Sequence, residues 1–164
     1  MKKKTTAVLV TLAAALMLGG CTSTSTTISS SVAQANPWED FKTLEEAQEA
    51  VGFEVSLPDM SDFGDEETYR VCAALNELEV QYATDDEKQA YIRKAKDNGD
   101  ISGDYVEYAF TGELKVGDDT LTVKGESEDE LNLAVWTVGD YAYCIGITQG
   151  VDSETMEGLV LELE

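Results

Sequence analysis

The chain contains no histidine. Imidazole is the commonest general base and the commonest protein ligand for transition metals. Its absence excludes a Ser-His-Asp triad, a Cys-His nucleophile pair and any zinc site built on imidazole. Because no other catalytic motif is present, we predict that the protein is not an enzyme and needs no cofactor.

Basic residues are scarce. Lys and Arg total 11 against 33 Asp and Glu, and the formal net charge is -22. Residues 1–20 hold three lysines and no acid, so without them the balance is 8 − 33 = −25. Such a surface repels nucleic acid and anionic lipid headgroups. It attracts metal ions, polyamines or basic peptides, or it serves only to keep the protein in solution.

No apolar run is long enough to cross a membrane. Residues 7–20 form an uncharged stretch of 14 positions, whereas a membrane-spanning helix needs ~20. The basic start at Lys2, Lys3 and Lys4, followed by a short apolar stretch and small residues, is typical of a secretory signal peptide. We therefore assign residues 1–20 to a signal that is removed.

The small residues end at a cysteine. Leu18-Gly19-Gly20-Cys21 resembles the bacterial lipobox, in which diacylglycerol is joined to the cysteine sulfur and the signal is cut just before it. The resemblance implies a lipid anchor on Cys21 at the extracytoplasmic face of the cell membrane, since two or more acyl chains give stable attachment. The alternative is an ordinary signal peptide with a cysteine near its cleavage site. Residues 21–35, rich in Ser and Thr, are predicted to form a flexible tether.

Residues 36–164 have the composition of one folded domain. Thr43 and Glu46 fit a capping box at the start of a helix, which Gly52 is placed to end. Apolar residues alternate with polar ones over 53–57, which predicts a short strand.

Strand-like segments follow, most of them joined as hairpins. They are residues 67–75, 77–84, 88–96, 104–110, 113–125 and 131–148. Asp152 or Ser153 can cap a final helix. Its apolar stripe comprises Met156, Leu159, Val160 and Leu163. The order predicts an α+β domain with a single antiparallel sheet, a flat or curved meander, and the N-terminal and C-terminal helices packed on one face.

Four segments of this domain are similar to segments of known bacterial domains: "NPWEDFKTLEEAQEAVGF", "DISGDYVEYAF", "LTVKG" and "LAVWTVGDYAYCI". Together they resemble a family of uncharacterised domains from Gram-positive bacteria, which occur in lipoproteins and in some anti-sigma and sporulation-related proteins. The resemblance covers residues 36–164 and implies the α+β fold and a lipoprotein context. None of the pieces is a catalytic signature, so the resemblance implies no functional residue.

The segment "NGDISGDYVEY" is the best place in the sequence for a metal ion. Asn98, Asp100, Ser102 and Gly103 match positions 1, 3, 5 and 6 of a calcium-binding loop. The glutamate expected at position 12 is Ala109 instead, so a polar turn between two strands is the favoured interpretation. We therefore assign no metal site and keep Asn98, Asp100 and Ser102 as candidates.

Other conspicuous residues have competing interpretations. The acidic run Glu126–Glu130 suits a cation or acid–base site, but a solvated loop is favoured. Cys72 and Cys144 lie in predicted strands, and two separate buried thiols are favoured over a disulfide. Trp38 and Trp136 suit a ligand groove, although aromatic residues in strands usually pack in the core.

Three functions stay open. The first is a surface-anchored, non-catalytic module for binding, sensing or assembly. The second is a binder of cations or basic peptides that uses the acidic surface. The third is a carboxylate-based cell-wall hydrolase, which needs two acids in one cleft roughly 5–9.5 Å apart. We expect the partners to be the membrane, through Cys21, and an unknown protein or cationic ligand, with no nucleic acid.

Overall fold

The computed structural model describes residues 36–96 and 99–163. By its contacts the chain divides into two units, Met1–Gln34 and Ala35–Glu164, and the description concerns the second. The predicted signal, Cys21 and the tether lie outside the described residues. Within the described ranges, no helix combines the length and the apolar character needed to cross a membrane.

The described residues form one antiparallel sheet of eight strands with two α-helices. The strands are β1 Glu39–Phe41, β2 Glu66–Cys72, β3 Glu77–Thr84, β4 Glu87–Ala95, β5 Phe110–Val116, β6 Asp119–Ser127, β7 Glu130–Val138 and β8 Tyr141–Val151. The helices are α1 Leu44–Val51 and α2 Ser153–Glu162, and a 3-10 turn covers Ser61–Phe63. The predicted α+β fold with a single antiparallel sheet is confirmed.

The sheet consists of two meanders that meet in its middle. Its strand order is β1-β2-β3-β4-β8-β7-β6-β5, so β4 pairs with β8 and β5 lies at the far edge. The meander prediction is therefore correct within each half and wrong at the connection from β4 to β5. Local alternation shows which face of a strand is buried, but it carries no information about which distant strand becomes the neighbour.

Helix α1 has the predicted ends. Thr43 Oγ1 accepts a hydrogen bond from the Glu46 backbone N–H at 3.2 Å. Gly52 ends the helix in the left-handed conformation and donates its N–H to the Gln48 carbonyl. The Glu46 carboxylate reaches back to the N–H of Lys42 rather than to that of Thr43. Its hydrogen bond therefore satisfies the donor one residue before the one that a standard capping box uses.

Two predicted strands are wrong. Residues 53–57 join no strand of the sheet, although Val55 is buried and donates its backbone N–H to Gln48 Oε1. The alternation there reflects burial without strand pairing. Of residues 104–110, only Phe110 lies in a strand, because Asp104 draws the chain into local turns by accepting from the Val106 N–H. The short strand β1 was not predicted.

The core lies on one face of the sheet and takes in both helices. Helix α2 begins with the Asp152 carboxylate accepting from the Thr155 N–H at 2.8 Å. The buried stripe of α2 consists of Met156, Leu159 and Val160, followed by Leu163. Ala47 of α1 belongs to the same apolar cluster. The packing of both helices on one face is as predicted.

Two glycines, one in strand β6 and one in helix α2, test how closely the backbone is packed at each position. A Cβ on Gly125 would overlap the carbonyl oxygen of Glu130 on the next strand, whereas a Cβ on Gly158 of α2 meets no atom within 4 Å. We expect Gly125→Ala to lower the free energy of unfolding by about 2 kcal/mol, because backbone must move. Gly158→Ala is expected to raise it by about 1 kcal/mol, since alanine is the better helix former. Urea unfolding of the full chain measures both, and equal stabilities would contradict the packing described here.

Candidate binding cavity and its buried charges

Successive side chains of β3 point to opposite faces of the sheet. Leu78 and Val80 point to the helices and the core, so Glu77, Glu79 and Gln81 point to the opposite face. We call this opposite side the charged face. The strand register places Arg70 of β2 and Arg93 of β4 on either side of Glu79.

Glu79 is the centre of a buried ion-pair network. Its carboxylate, with 1% of the side chain exposed, lies 3.4 Å from Arg70 Nη1 and 2.6 Å from Arg93 Nη2. Arg70 also pairs with Asp40 of β1, at 3.0 Å from Nε to Oδ1. The network thus connects four neighbouring strands. Burial lowers the pKa of Arg93, but the carboxylates of Glu79 and Glu77 outweigh that effect and raise it.

The network is covered by residues 99–108, which we call the covering segment, and by Trp38. Arg93 Nη1 donates to the carbonyl oxygens of Ile101 and Ser102, both at 2.8 Å. Tyr91 Oη donates to the same Ser102 carbonyl at 3.2 Å. The Trp38 ring centre lies 5.4 Å from the guanidinium carbons of both Arg70 and Arg93, within cation–π range. Backbone dipoles and an aromatic ring therefore replace water around these cations.

The covering segment begins with a polar turn. Asp100 Oδ1 accepts from the backbone N–H and the hydroxyl of Ser102, and Asp100 Oδ2 lies 3.6 Å from Lys124 Nζ. Burial alone would raise the pKa of Asp100, but the Ser102 hydrogen bonds and Lys124 leave it lowered. This is the turn favoured over a calcium loop. In the described ranges no group of three or more acidic or thiol side chains is suited to a metal ion; Asn98 lies outside those ranges.

Glu77 differs from Glu79 in having an unsatisfied oxygen. Its side chain is 3% exposed, and Oε1 has no hydrogen-bond donor among the described residues. Arg93 Nε lies 3.4 Å away, but its N–H donates to Glu79 Oε2 instead. Burial raises the pKa of Glu77 to about 7; Arg93 opposes the rise and Glu79 adds to it.

A cavity of about 460 Å³ opens beside Glu77. Its buried lining includes Glu77 and Arg93, and its outer lining includes Trp38, Leu75 and Tyr105. Leu75 and Tyr105 are 56% and 95% exposed, so apolar surface faces solvent at the mouth. The cavity therefore joins a buried acceptor to an exposed apolar rim, the combination that ligand sites commonly show.

The buried part of the ion-pair network is balanced in charge. Glu77 and Glu79 supply two negative charges and Arg70 and Arg93 supply two positive ones, so the sum is 2 − 2 = 0, whereas Asp40 is 70% exposed to solvent. Arg93 lies 2.6 Å from Glu79 and 3.4 Å from Glu77. Glu77 is therefore the least closely paired carboxylate of the network.

The remaining candidates have structural roles. Cys72 and Cys144 are buried and do not form a disulfide, as predicted, and burial raises the pKa of the Cys144 thiol. Trp136 stacks on Tyr143 across β7 and β8, with ring centres 5.3 Å apart, which is the predicted core packing. Residues 126–130 are exposed, as predicted, but only Glu128 and Asp129 form a turn. Residues 126 and 127 end β6 and residue 130 begins β7, so the predicted loop is shorter than expected.

Comparison with known proteins identifies no relative. No protein-family model matches the chain, and no curated protein or solved structure shows significant similarity to it. The resemblance to domains of Gram-positive lipoproteins therefore rests on the four sequence pieces alone.

Sequence reasoning missed Glu77, Glu79 and Arg93. The available signal was a strand, β3, that carries carboxylates at alternate positions, next to a strand with a central arginine. Alternation normally assigns such residues to a solvated face. They are buried because the covering segment, which follows β4 in the chain, lies over that face.

The raised pKa of Glu77 predicts a stability that depends on pH. Because the folded pKa lies above the ordinary glutamate value of 4.5, the folded state binds the proton more tightly than the unfolded state does. Stability should therefore fall as the pH rises from about 5 to about 8. Glu77→Gln should flatten this dependence, and Glu128→Gln, at an exposed turn, should not. The free energy of unfolding of the full chain is measured with urea at about pH 5 and about pH 8. The same change in this free energy with pH for the wild type and for Glu77→Gln would contradict the assignment.

Proposed function

We propose that the protein is a bacterial lipoprotein anchored through Cys21 to the extracytoplasmic face of the cell membrane. Its domain acts there as a non-catalytic module for binding, sensing or assembly. The lipobox-like Leu18–Cys21 and the Ser/Thr-rich residues 21–35 support the anchor and the tether. The excess of acidic residues supports a partner other than nucleic acid.

The cavity beside Glu77 is the observation that supports a binding role most strongly. Buried polar atoms are nearly always hydrogen-bonded, because an unpaired one costs about 1–3 kcal/mol. Glu77 Oε1 departs from this rule among the described residues, and the residue Glu77 lines an open cavity. A ligand that supplies the missing donor would recover that cost, which favours the cavity as the binding site.

A carboxylate-based hydrolase is the competing function. Glu77 and Asp100 line the same cavity, and their pKa values are displaced in opposite directions, a pattern typical of acid–base pairs. However, Ser102 and Lys124 already engage both oxygens of Asp100. The partner carboxylate is thus committed to the turn, which favours binding over hydrolysis.

Lipidation has a direct test. We expect Cys21→Ala to abolish incorporation of labelled lipid in a Gram-positive host, because no other residue fits the lipobox position. Cys72→Ala removes a buried thiol of the domain and should leave labelling intact. The measurement is gel fluorography after growth with a labelled fatty acid. A Cys21→Ala protein that still carries lipid would overturn the anchor assignment.

Hydrolysis is tested on purified cell-wall glycan. The full chain is expected to release no more reducing sugar than Glu77→Gln does, because the proposed module performs no chemistry. Sugar release by the wild type that disappears in Glu77→Gln would contradict the non-catalytic proposal and favour the hydrolase.

A further inference from the structure

We propose that the cavity beside Glu77 binds a primary ammonium group carried on an alkyl chain, as in a lysine side chain or a polyamine. Glu77 accepts the ammonium N–H, and Leu75, Trp38 and Tyr105 contact the chain. The inference rests on the proposed function in taking this cavity as the binding site.

Hydrogen bonding and charge indicate which ligand group fits the buried end of the cavity, next to Glu77. Glu77 Oε1 lacks a hydrogen-bond donor among the described residues, and its ion pair with Arg93 Nε is long, at 3.4 Å. A primary ammonium supplies both a donor and one positive charge in a single small group. A charge-assisted hydrogen bond of this kind is about twice as strong as a neutral one.

The apolar residues at the mouth of the cavity indicate the chemistry of the rest of the ligand. Leu75 and Tyr105 are exposed, and Trp38, whose ring lies over both arginines, also lines the cavity. These apolar surfaces suit a chain of methylene groups better than a charged or strongly hydrated one. An alkylammonium combines this chain with the required head group.

Other cations fit the cavity less well. Calcium takes six to eight oxygen ligands, and in the part of the chain that is described no three acidic side chains gather to supply them. A quaternary ammonium carries the charge but has no N–H for Glu77 Oε1. The overall excess of negative charge attracts all of these cations alike, so selectivity must come from the cavity.

Calorimetry on the full chain, purified in a non-ionic detergent at physiological salt, tests the inference. Spermidine and acetyl-Gly-Lys-Gly-amide represent the two sources of a primary ammonium, and the tighter binder identifies the source. Tetramethylammonium has the same charge without an N–H donor and is expected to give no binding heat. We expect Glu77→Gln to weaken the binding of primary amines at least about tenfold.

Matched variants distinguish binding at the cavity from binding to the acidic surface in general. Glu113→Gln removes the same charge at an exposed position of β5 and should leave the affinity unchanged. Tyr105→Ala alters only an exposed rim side chain and should weaken binding without changing thermal stability, so it tests the site even if Glu77→Gln is unstable. The inference is overturned if neither amine binds, if tetramethylammonium binds equally well, or if Glu113→Gln has the same effect as Glu77→Gln. Lipid labelling of Cys21 is independent of these outcomes, so a failed amine site leaves the anchor proposal standing.

Discussion

The carboxylate of Glu79, held between Arg70 and Arg93, organises the charged face of the sheet. Charges buried this deeply are tolerated only when other groups replace water around them. That requirement explains why the covering segment turns its carbonyl groups toward Arg93 and why Trp38 lies against both guanidinium groups. The helix-facing side is stabilised mainly by apolar burial, and the buried Lys94 on that side donates to the Glu54 carbonyl oxygen. The two faces of one sheet are thus held by different forces.

This arrangement places the least satisfied group of the network at the edge of a cavity. Glu79 is paired with both arginines, so the missing hydrogen bond and the longest ion pair to Arg93 belong to Glu77. A structural ion pair has no use for an unsatisfied member, whereas a binding site gains selectivity from one that only the correct ligand completes. The proposed lipid anchor would hold this cavity outside the cell membrane at the end of a tether, where soluble amines and basic segments of other proteins have access to it.

Local features of the fold were predictable from sequence because local chemistry decides them. Thr43 and Asp152 cap the helices as predicted, and two of the hairpins turn where asparagine or glycine permits a positive φ, at Asn76 and Gly117. The pairing of β4 with β8 was not predictable, since it depends on strands distant in the chain. The site was missed for the same reason: the burial of Glu77 results from a covering segment more than 20 residues away.

The central claim is that Glu77 is the least satisfied carboxylate of the buried network. Carbon-13 NMR of its side-chain carboxyl group, followed through a pH titration of the full chain, measures this directly. Comparison with Glu77→Gln assigns the resonance. The account predicts a midpoint at about 7, because burial disfavours the charged form and the neighbouring arginine is committed to Glu79. A midpoint near the ordinary glutamate value of about 4.3 would contradict it. That result would mean that Glu77 is solvated or fully paired, and that the cavity has no unsatisfied acceptor to offer.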